Sequence, residues 1–270
     1  MGVSMDALNT NDAAEPSDFS LKPAERLPLT DKCHHYTGKH EVPWDIQNQR
    51  YSIFSFYDGG VHMTDDAWFG VTPEPIANQI AHELSEDHFN PNVTTIIDAF
   101  GGAGGNTIAF ALSNRWSRII AIERDAATLA CAQHNAELYG VDPGAVTWVL
   151  GDSFDYVDQL VGTPEKLHPD LRVDLQSTMV FASPPWGGPG YRTDQVFDLS
   201  TMQPYSLKHL HEAYRKMDHL LFLPRTSDIR QIAKLAPEGG KLEVIQYCIE
   251  GASKAMGAYI PGESSSASGE

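Results

Sequence analysis

Three short apolar runs, residues 94–100, 118–123 and 146–150, each close on or beside an acid: Asp98, Glu123 and Asp152. The runs are too short for buried helices and rich in β-branched residues, so each reads as a strand. Between them lie helical stretches, one over residues 106–113 and one from a capping Asp125 to Gly140, a residue suited to the left-handed position past a helix end. A fourth apolar run covers 178–183, followed by a helix over 206–217, a strand over 219–224, a helix over 228–235 and two strands over 241–250 and 254–260. Strands alternating with helices predict an α/β, Rossmann-like fold, a mostly parallel sheet with helices on both faces. The link between the final two strands is too short for a helical crossover. The seven-stranded sheet is therefore expected to end in an antiparallel last strand.

In an open parallel sheet, ligands sit at the carboxyl ends of the strands. A single acid at such an end is more often a solvated residue than a ligand contact. Three on successive strands make one edge acidic. Between Asp98 and its helix runs Ala99-Phe100-Gly101-Gly102-Ala103-Gly104-Gly105-Asn106, whose glycines permit a sharp turn and close backbone approach. Two differences argue against a dinucleotide: an acid, Asp98, ends the strand before the loop, and the spacing is not a clean G-x-G-x-x-G into a helix N-terminus. With no phosphate to cradle, Asp98 suits a cationic amino acid group, Glu123 the two hydroxyls of a ribose, and Asp152 an adenine amine. That set describes S-adenosylmethionine on the class I methyltransferase fold.

The fourth strand releases Ser183-Pro184-Pro185-Trp186-Gly187-Gly188-Pro189 at the same edge. Two prolines fix the backbone and remove two donors, leaving carbonyls to act as acceptors beside a flat aromatic. Such a loop suits a planar base with an exocyclic amine. Ser183, Pro184 and Trp186 are thus the candidate catalytic set, and Ser183 stands where other amino-methyltransferases use Asp or Asn, so no strong general base is expected.

The chain holds 36 acids against 19 bases, a formal charge of −17. Phosphate neutralisation dominates the grip on long nucleic acid, so a nucleic-acid substrate must be held mainly in a small pocket. Residues 189–241 differ, with eight bases against six acids. The longest apolar runs fall far short of a membrane span, and no signal-peptide pattern opens the chain, so an intracellular, soluble protein with no membrane partner is expected. Three distant cysteines argue against a disulfide framework, and Cys33-His34-His35 with His40 is too thin a set for a metal site. By composition, residues 1–40 read as disordered, 41–90 as a small helical, aromatic N-terminal extension or lid, 91–260 as the methyltransferase domain and 261–270 as a flexible tail. Thr72-Pro73-Glu74 reads as a helix start with Thr72 as its cap.

Several segments together resemble the trimethylguanosine synthase family of RNA cap guanine-N2 methyltransferases, in its fungal form. They are Gln49-Arg50-Tyr51 with Phe54-Ser55, then Asp66-Ala67-Trp68-Phe69-Gly70-Val71-Thr72-Pro73-Glu74. They continue with the glycine loop, His134-Asn135-Ala136-Glu137 with Tyr139-Gly140, the Ser183–Pro189 motif with Tyr191, and Leu223-Pro224-Arg225. The likeness spans roughly residues 42–260. It implies methylation of the 2-amino group of 7-methylguanosine caps, in two steps, with S-adenosylmethionine as donor. It implies that Thr72, Asp98, Gly102, Gly104, Asn106, Glu123 and Asp152 line the cofactor site. It also implies that Trp186 stacks on the methylated guanine, that Phe54 helps close the pocket, that Asn135 contacts guanine, and that Tyr191 and Arg225 reach the cap phosphates. Capped small nuclear or nucleolar RNA as substrate, ribonucleoprotein partners, a monomeric state and a nuclear location in nucleolus or nuclear bodies follow from the resemblance alone. The family's usual Lys-Tyr-Trp segment before Gln-Arg-Tyr is absent; Asp45-Ile46-Gln47-Asn48 stands there. Two alternatives remain open at this point: a methyltransferase for another amine (adenine N6, rRNA guanine N2 or a glutamine side chain), and a non-catalytic cap-binding module.

Overall fold

The computed structural model describes residues 20–37, 48–84, 91–188, 194–237 and 240–263. Seven strands form one sheet: β1 (Thr95–Asp98), β2 (Arg118–Glu123), β3 (Val146–Leu150), β4 (Thr178–Ala182), β5 (Asp218–Pro224), β6 (Glu243–Ile249) and β7 (Ala252–Ile260). Their order is β3-β2-β1-β4-β5-β7-β6. The first five run parallel, and β7 is antiparallel to both neighbours. The expected fold class is therefore the observed one. Between β6 and β7 the two central residues, Glu250 at φ 51° and Gly251 at φ 77°, are both left-handed. Such a pair makes the tight turn whose twist matches a hairpin, which forces the antiparallel return.

The described helices are α1 (Arg50–Ile53), α2 (Ala67–Gly70), α3 (Glu74–Glu83), α4 (Gly105–Leu112), α5 (Ala126–Leu138), α6 (Ser153–Gly162), α7 (Leu207–Tyr214) and α8 (Ile229–Ala233). Successive strand residues point to opposite faces, and the two cores divide accordingly. Ile96 joins Ile76, Ile80 and Phe110 of α3 and α4 on one face. Ile97 joins Tyr156, Leu160, Leu210 and Tyr214 of α6 and α7 on the other. No helix is long and apolar enough to cross a membrane among the described residues.

Three local features differ from the sequence reading. Helix α6 was not anticipated. It forms because Asp152 accepts from the Phe154 amide at 2.8 Å and caps it, while Tyr156, Val157 and Leu160 supply a buried stripe. Thr72 does not cap α3: the cap position is Pro73, with no side-chain bond. Residues 20–37, read as part of a disordered segment, pack along the domain. Ala24 donates to the Trp148 carbonyl at 2.7 Å, the Leu27 amide donates to Gln133 at 2.8 Å, and buried Tyr36 sits edge-on to Trp68. Low hydrophobic periodicity hid this strap: Leu21, Leu27, Leu29, Cys33 and Tyr36 pack on the cores at scattered positions that follow neither a helix nor a strand period. Residues 1–19 and His40 lie outside the described residues.

β7 presses hard on β6 at Gly257, where an added Cβ would lie 2.8 Å from Cε2 of the fully buried Tyr247 ring. That ring is held by Tyr259 at 2.6 Å and Glu83 at 2.8 Å, so it has nowhere to retreat. Gly257→Ala should destabilise the protein by about 1–3 kcal/mol in urea unfolding. Gly162→Ala, where a Cβ meets nothing within 4 Å, should shift stability by less than about 0.5 kcal/mol.

Candidate active site

β1 lies between β2 and β4, and the chain order reverses there, so the carboxyl edge of β1 is the switch point where parallel sheets bind ligands. In register, Asp98 stands opposite Ala121 of β2 and Phe181 of β4. Glu123 stands opposite Leu150, and the Gly151 amide donates to the Glu123 carbonyl at 3.0 Å, which brings Asp152 alongside. The sheet thus sets Asp98, Glu123 and Asp152 on one edge, with Ser183 emerging two residues past Phe181 on the other side of Asp98.

Asp98 is fully buried. Its Oδ2 accepts from Thr107 Oγ1 at 2.6 Å, whereas Oδ1 has no hydrogen-bond partner. Burial pushes its carboxyl up to about 6; the Thr107 hydroxyl and Phe100 amide oppose this, and nearby Glu123 adds to it. Glu123 is half-buried, with Oε2 accepting from the Gly102 amide at 3.1 Å and Oε1 from the Asp125 amide at 2.8 Å. Desolvation raises its carboxyl too. The first contact ties the glycine loop to β2, and the second fixes the turn into α5.

The loop needs its glycines at two places. Gly102 and Gly104 adopt φ of 51° and 95°, and a Cβ on Gly104 would lie 3.3 Å from the Ala132 backbone of α5. Beyond the loop, a Cβ on Gly105 would lie 3.2 Å from the Thr72 carbonyl, so Thr72 is pressed against the loop from the extension. Thr72 Oγ1 and Asn106 Nδ2 are buried and, like Asp98 Oδ1, have no hydrogen-bond partner. Buried polar atoms are normally satisfied. One anionic acceptor, one amide donor and one hydroxyl left open around a tight glycine loop match an amino acid zwitterion. The residues therefore fit S-adenosylmethionine, whose ammonium would face Asp98 and whose carboxylate would face Asn106 and Thr72.

Asp152 is half-buried and caps α6 through Oδ1, which leaves Oδ2 directed to no group among the described residues. Around it lies an aromatic cluster that sequence reasoning missed. Phe154 lies 6.1 Å from Phe100 of the loop and 4.7 Å from Tyr205, whose hydroxyl accepts from Arg124 at 3.4 Å. Only Phe154, two residues after Asp152, could have flagged it. Thr107, nine positions after Asp98, was likewise overlooked; it lies one residue past Asn106, in the first turn of α4.

Trp186 is half-buried at the end of β4 and packs against both cores. Its indole N–H donates to the Phe222 carbonyl of β5 at 3.1 Å, and the two rings lie 5.8 Å apart. The β4–β5 ladder ends at Ala182 opposite Leu221. Pro184 and Pro185 have no amide hydrogen to extend it. The indole N–H thus takes the next carbonyl of β5, and the ring is fixed at the sheet rim. Ser183 is half-buried, Pro184 buried and Pro185 exposed; Gly187 and Gly188 turn the chain at φ 82° and 84°.

Two of the remaining substrate residues, Phe54 and Asn135, are placed differently from expectation. Phe54 is 2% exposed and packs 6.0 Å from Tyr139, inside the core rather than over a pocket. The turn after it is latched: Glu74 accepts from the Ser55 amide at 2.6 Å and from Tyr139 at 2.8 Å. Asn135 is fully buried, with Oδ1 accepting from the His62 amide at 2.9 Å and Nδ2 donating to the carbonyls of His62 and Ala103. No polar edge is left for guanine, so Asn135 acts as a clamp between the extension and the glycine loop. Arg225 is exposed just past β5, and Tyr191 lies outside the described residues. Among the described residues no cluster of His, Cys, Asp and Glu has metal-holding geometry.

Residues 93–263 match the family described as RNA cap guanine-N2 methyltransferase. The trimethylguanosine synthase of Schizosaccharomyces pombe is 37% identical over 79% of this chain and 83% of its own length. The Saccharomyces cerevisiae enzyme of the same name is 34% identical over 68% of this chain, which spans 55% of that longer protein. Among solved structures, a putative methyltransferase from Porphyromonas gingivalis W83 covers 83% of this chain and 52% of its own, with a TM-score of 0.53 at 17% identity, a likeness of fold.

The ionised Asp98 is a burden on the cofactor-free protein. Its carboxyl is raised from 3.8 to about 6, so its contribution to stability falls as pH rises between those values and stays low above them. Asp98→Asn should therefore stabilise the cofactor-free protein by up to about 3 kcal/mol at pH 7, at about 1.4 kcal/mol per unit, and by little near pH 4. Calorimetric titration should show the same change weakening S-adenosylmethionine binding by about ten- to a hundredfold, the loss of one charge-assisted bond.

Proposed function

The chain belongs to the RNA cap guanine-N2 methyltransferase family, and on that premise we propose that it methylates the exocyclic N2 of 7-methylguanosine caps twice, giving 2,2,7-trimethylguanosine. The observation that carries the reading is the pairing of β1 with β4, which puts the open Asp98 carboxylate and the rim-fixed Trp186 on neighbouring strand ends. S-adenosylmethionine, when bound, supplies a methyl group activated by a sulfonium.

Thr72, Asp98 and Asn106 hold the amino acid end of that donor, Glu123 its ribose hydroxyls and Asp152 Oδ2 its adenine amine. Trp186 offers its π-face to the cationic purine, a preference worth about 0.5–2 kcal/mol over plain guanine. The Pro184 carbonyl and Ser183 accept the two hydrogens of the 2-amino group. That contact aligns the nitrogen lone pair for in-line attack and disperses the positive charge that grows on nitrogen during transfer. The new ammonium is strongly acidic because it is attached to the ring, so its proton leaves to water and Ser183 need not act as a base. Arg225, and Tyr191 by family likeness, reach the cap phosphates. Phe54 and Asn135 serve by holding the extension against the glycine loop rather than by touching the base. Capped small nuclear and nucleolar RNAs, ribonucleoprotein contacts, a monomeric state and a nuclear location complete the reading, all carried by family likeness.

Mass spectrometry of 7-methyl-GTP incubated with protein and S-adenosylmethionine should show one and then two methyl additions. Methylation of plain GTP at equal efficiency would sink the reading. Trp186→Ala should raise KM for 7-methyl-GTP by about tenfold or more, one decade per about 1.4 kcal/mol, with cofactor affinity unchanged.

A further inference from the structure

A groove of about 690 Å3 runs between α7 and the α8 region on the second face of the sheet. Lys208 on α7 and Lys234 just past α8 line it. Both are exposed, and neither has an ion pair among the described residues. The groove's acids are already matched: Glu212 lies 3.4 Å from Arg215, and Glu263 bonds both Arg215 and Lys216. Its free charge is therefore the two lysines, on a protein whose formal charge is −17.

The groove's upper end, at Ser200 and Ser206, connects to the tryptophan loop. A Cβ on Gly187 would lie 3.5 Å from Gln203, and the Leu199 amide donates to Gln231 of α8 at 2.8 Å. One segment, residues 197–206, thus forms both the backing of the Trp186 loop and the mouth of the groove.

We propose that this groove carries the phosphate backbone of the RNA that continues from the cap, a proposal resting on the cap-methylation reading above. A chain tethered at Trp186 carries one negative charge per nucleotide and is repelled by most of this acidic surface. It gains only where unpaired cations displace its counterions. Lys208 and Lys234 supply such cations beside the exit from the pocket, and the flexible ammonium groups grip phosphate without reading sequence.

The test compares wild type with Lys208→Gln/Lys234→Gln, and with Lys22→Gln/Lys32→Gln as an equal charge loss on the N-terminal strap. Affinity and KM are measured for 7-methyl-GTP and for a capped RNA of about ten nucleotides, at about 50 and 200 mM salt. The groove pair should leave 7-methyl-GTP turnover unchanged. For capped RNA it should lower the slope of log affinity against log salt by about 1.4, so that the wild-type advantage shrinks about sevenfold across that range, as two lost single-strand phosphate contacts require. The strap pair should change neither substrate. A groove variant that handles capped RNA like the strap variant, while 7-methyl-GTP is still methylated, overturns the groove assignment alone. Failure of wild type to methylate 7-methyl-GTP overturns the cap reading and the groove with it. Loss of binding to poly-glutamate but not to capped RNA overturns the assignment in favour of an acidic protein partner.

Discussion

The parallel pairing of β1 with β4 is the constraint on which the site depends. Asp98 and Phe181 are opposite one another, so the chain beyond Phe181 must leave the sheet beside the Asp98 carboxylate. Past Ala182 that chain is a serine, two prolines and a tryptophan. The prolines stop the ladder, and the indole N–H takes the Phe222 carbonyl that lies one residue past its end. A carboxylate edge and an aromatic plate are thereby held as neighbours by the β1–β4 ladder and by one bond from the indole N–H to the backbone of β5. A site built on strand ends inherits the rigidity of the sheet beneath it.

Around that edge the protein tolerates several local costs at once. Asp98 is ionisable and fully buried with one oxygen open, and Thr72 and Asn106 add two more unsatisfied atoms nearby. Each would be destabilising in a finished interior. Their convergence on one glycine loop makes sense as preorganisation for a zwitterion that satisfies all three. The N-terminal extension takes part by placing Thr72 there, and it is fastened by Glu74, Tyr139 and Asn135 rather than left to swing.

Much of this was legible in the residues because period and punctuation agreed. The strands, the acids that end them, the antiparallel final pair and the tryptophan loop all leave local signals. Packing decisions do not. Phe54 read as a pocket residue because a family motif marks it, yet only tertiary contacts reveal that its ring is interior. Asn135 read as a base contact, and its three hydrogen bonds join residues 32 to 73 positions away, beyond any sequence window. Helix α6 was hidden because Asp152 reads as a strand end and is at once a cap. Residues 20–37 were hidden because the apolar residues that dock them are scattered without a period. The open atoms of Thr72 and Asn106 are visible only once their neighbours are known.

The most direct test of the central claim is the side-chain indole resonance of Trp186, assigned by its disappearance in Trp186→Phe. Titration with 7-methyl-GTP should move this resonance strongly through ring stacking while its N–H stays protected by the Phe222 carbonyl, and plain GTP should move it far less. A Trp186 resonance that stays in place while 7-methyl-GTP binds and shifts other aromatic signals would contradict the account.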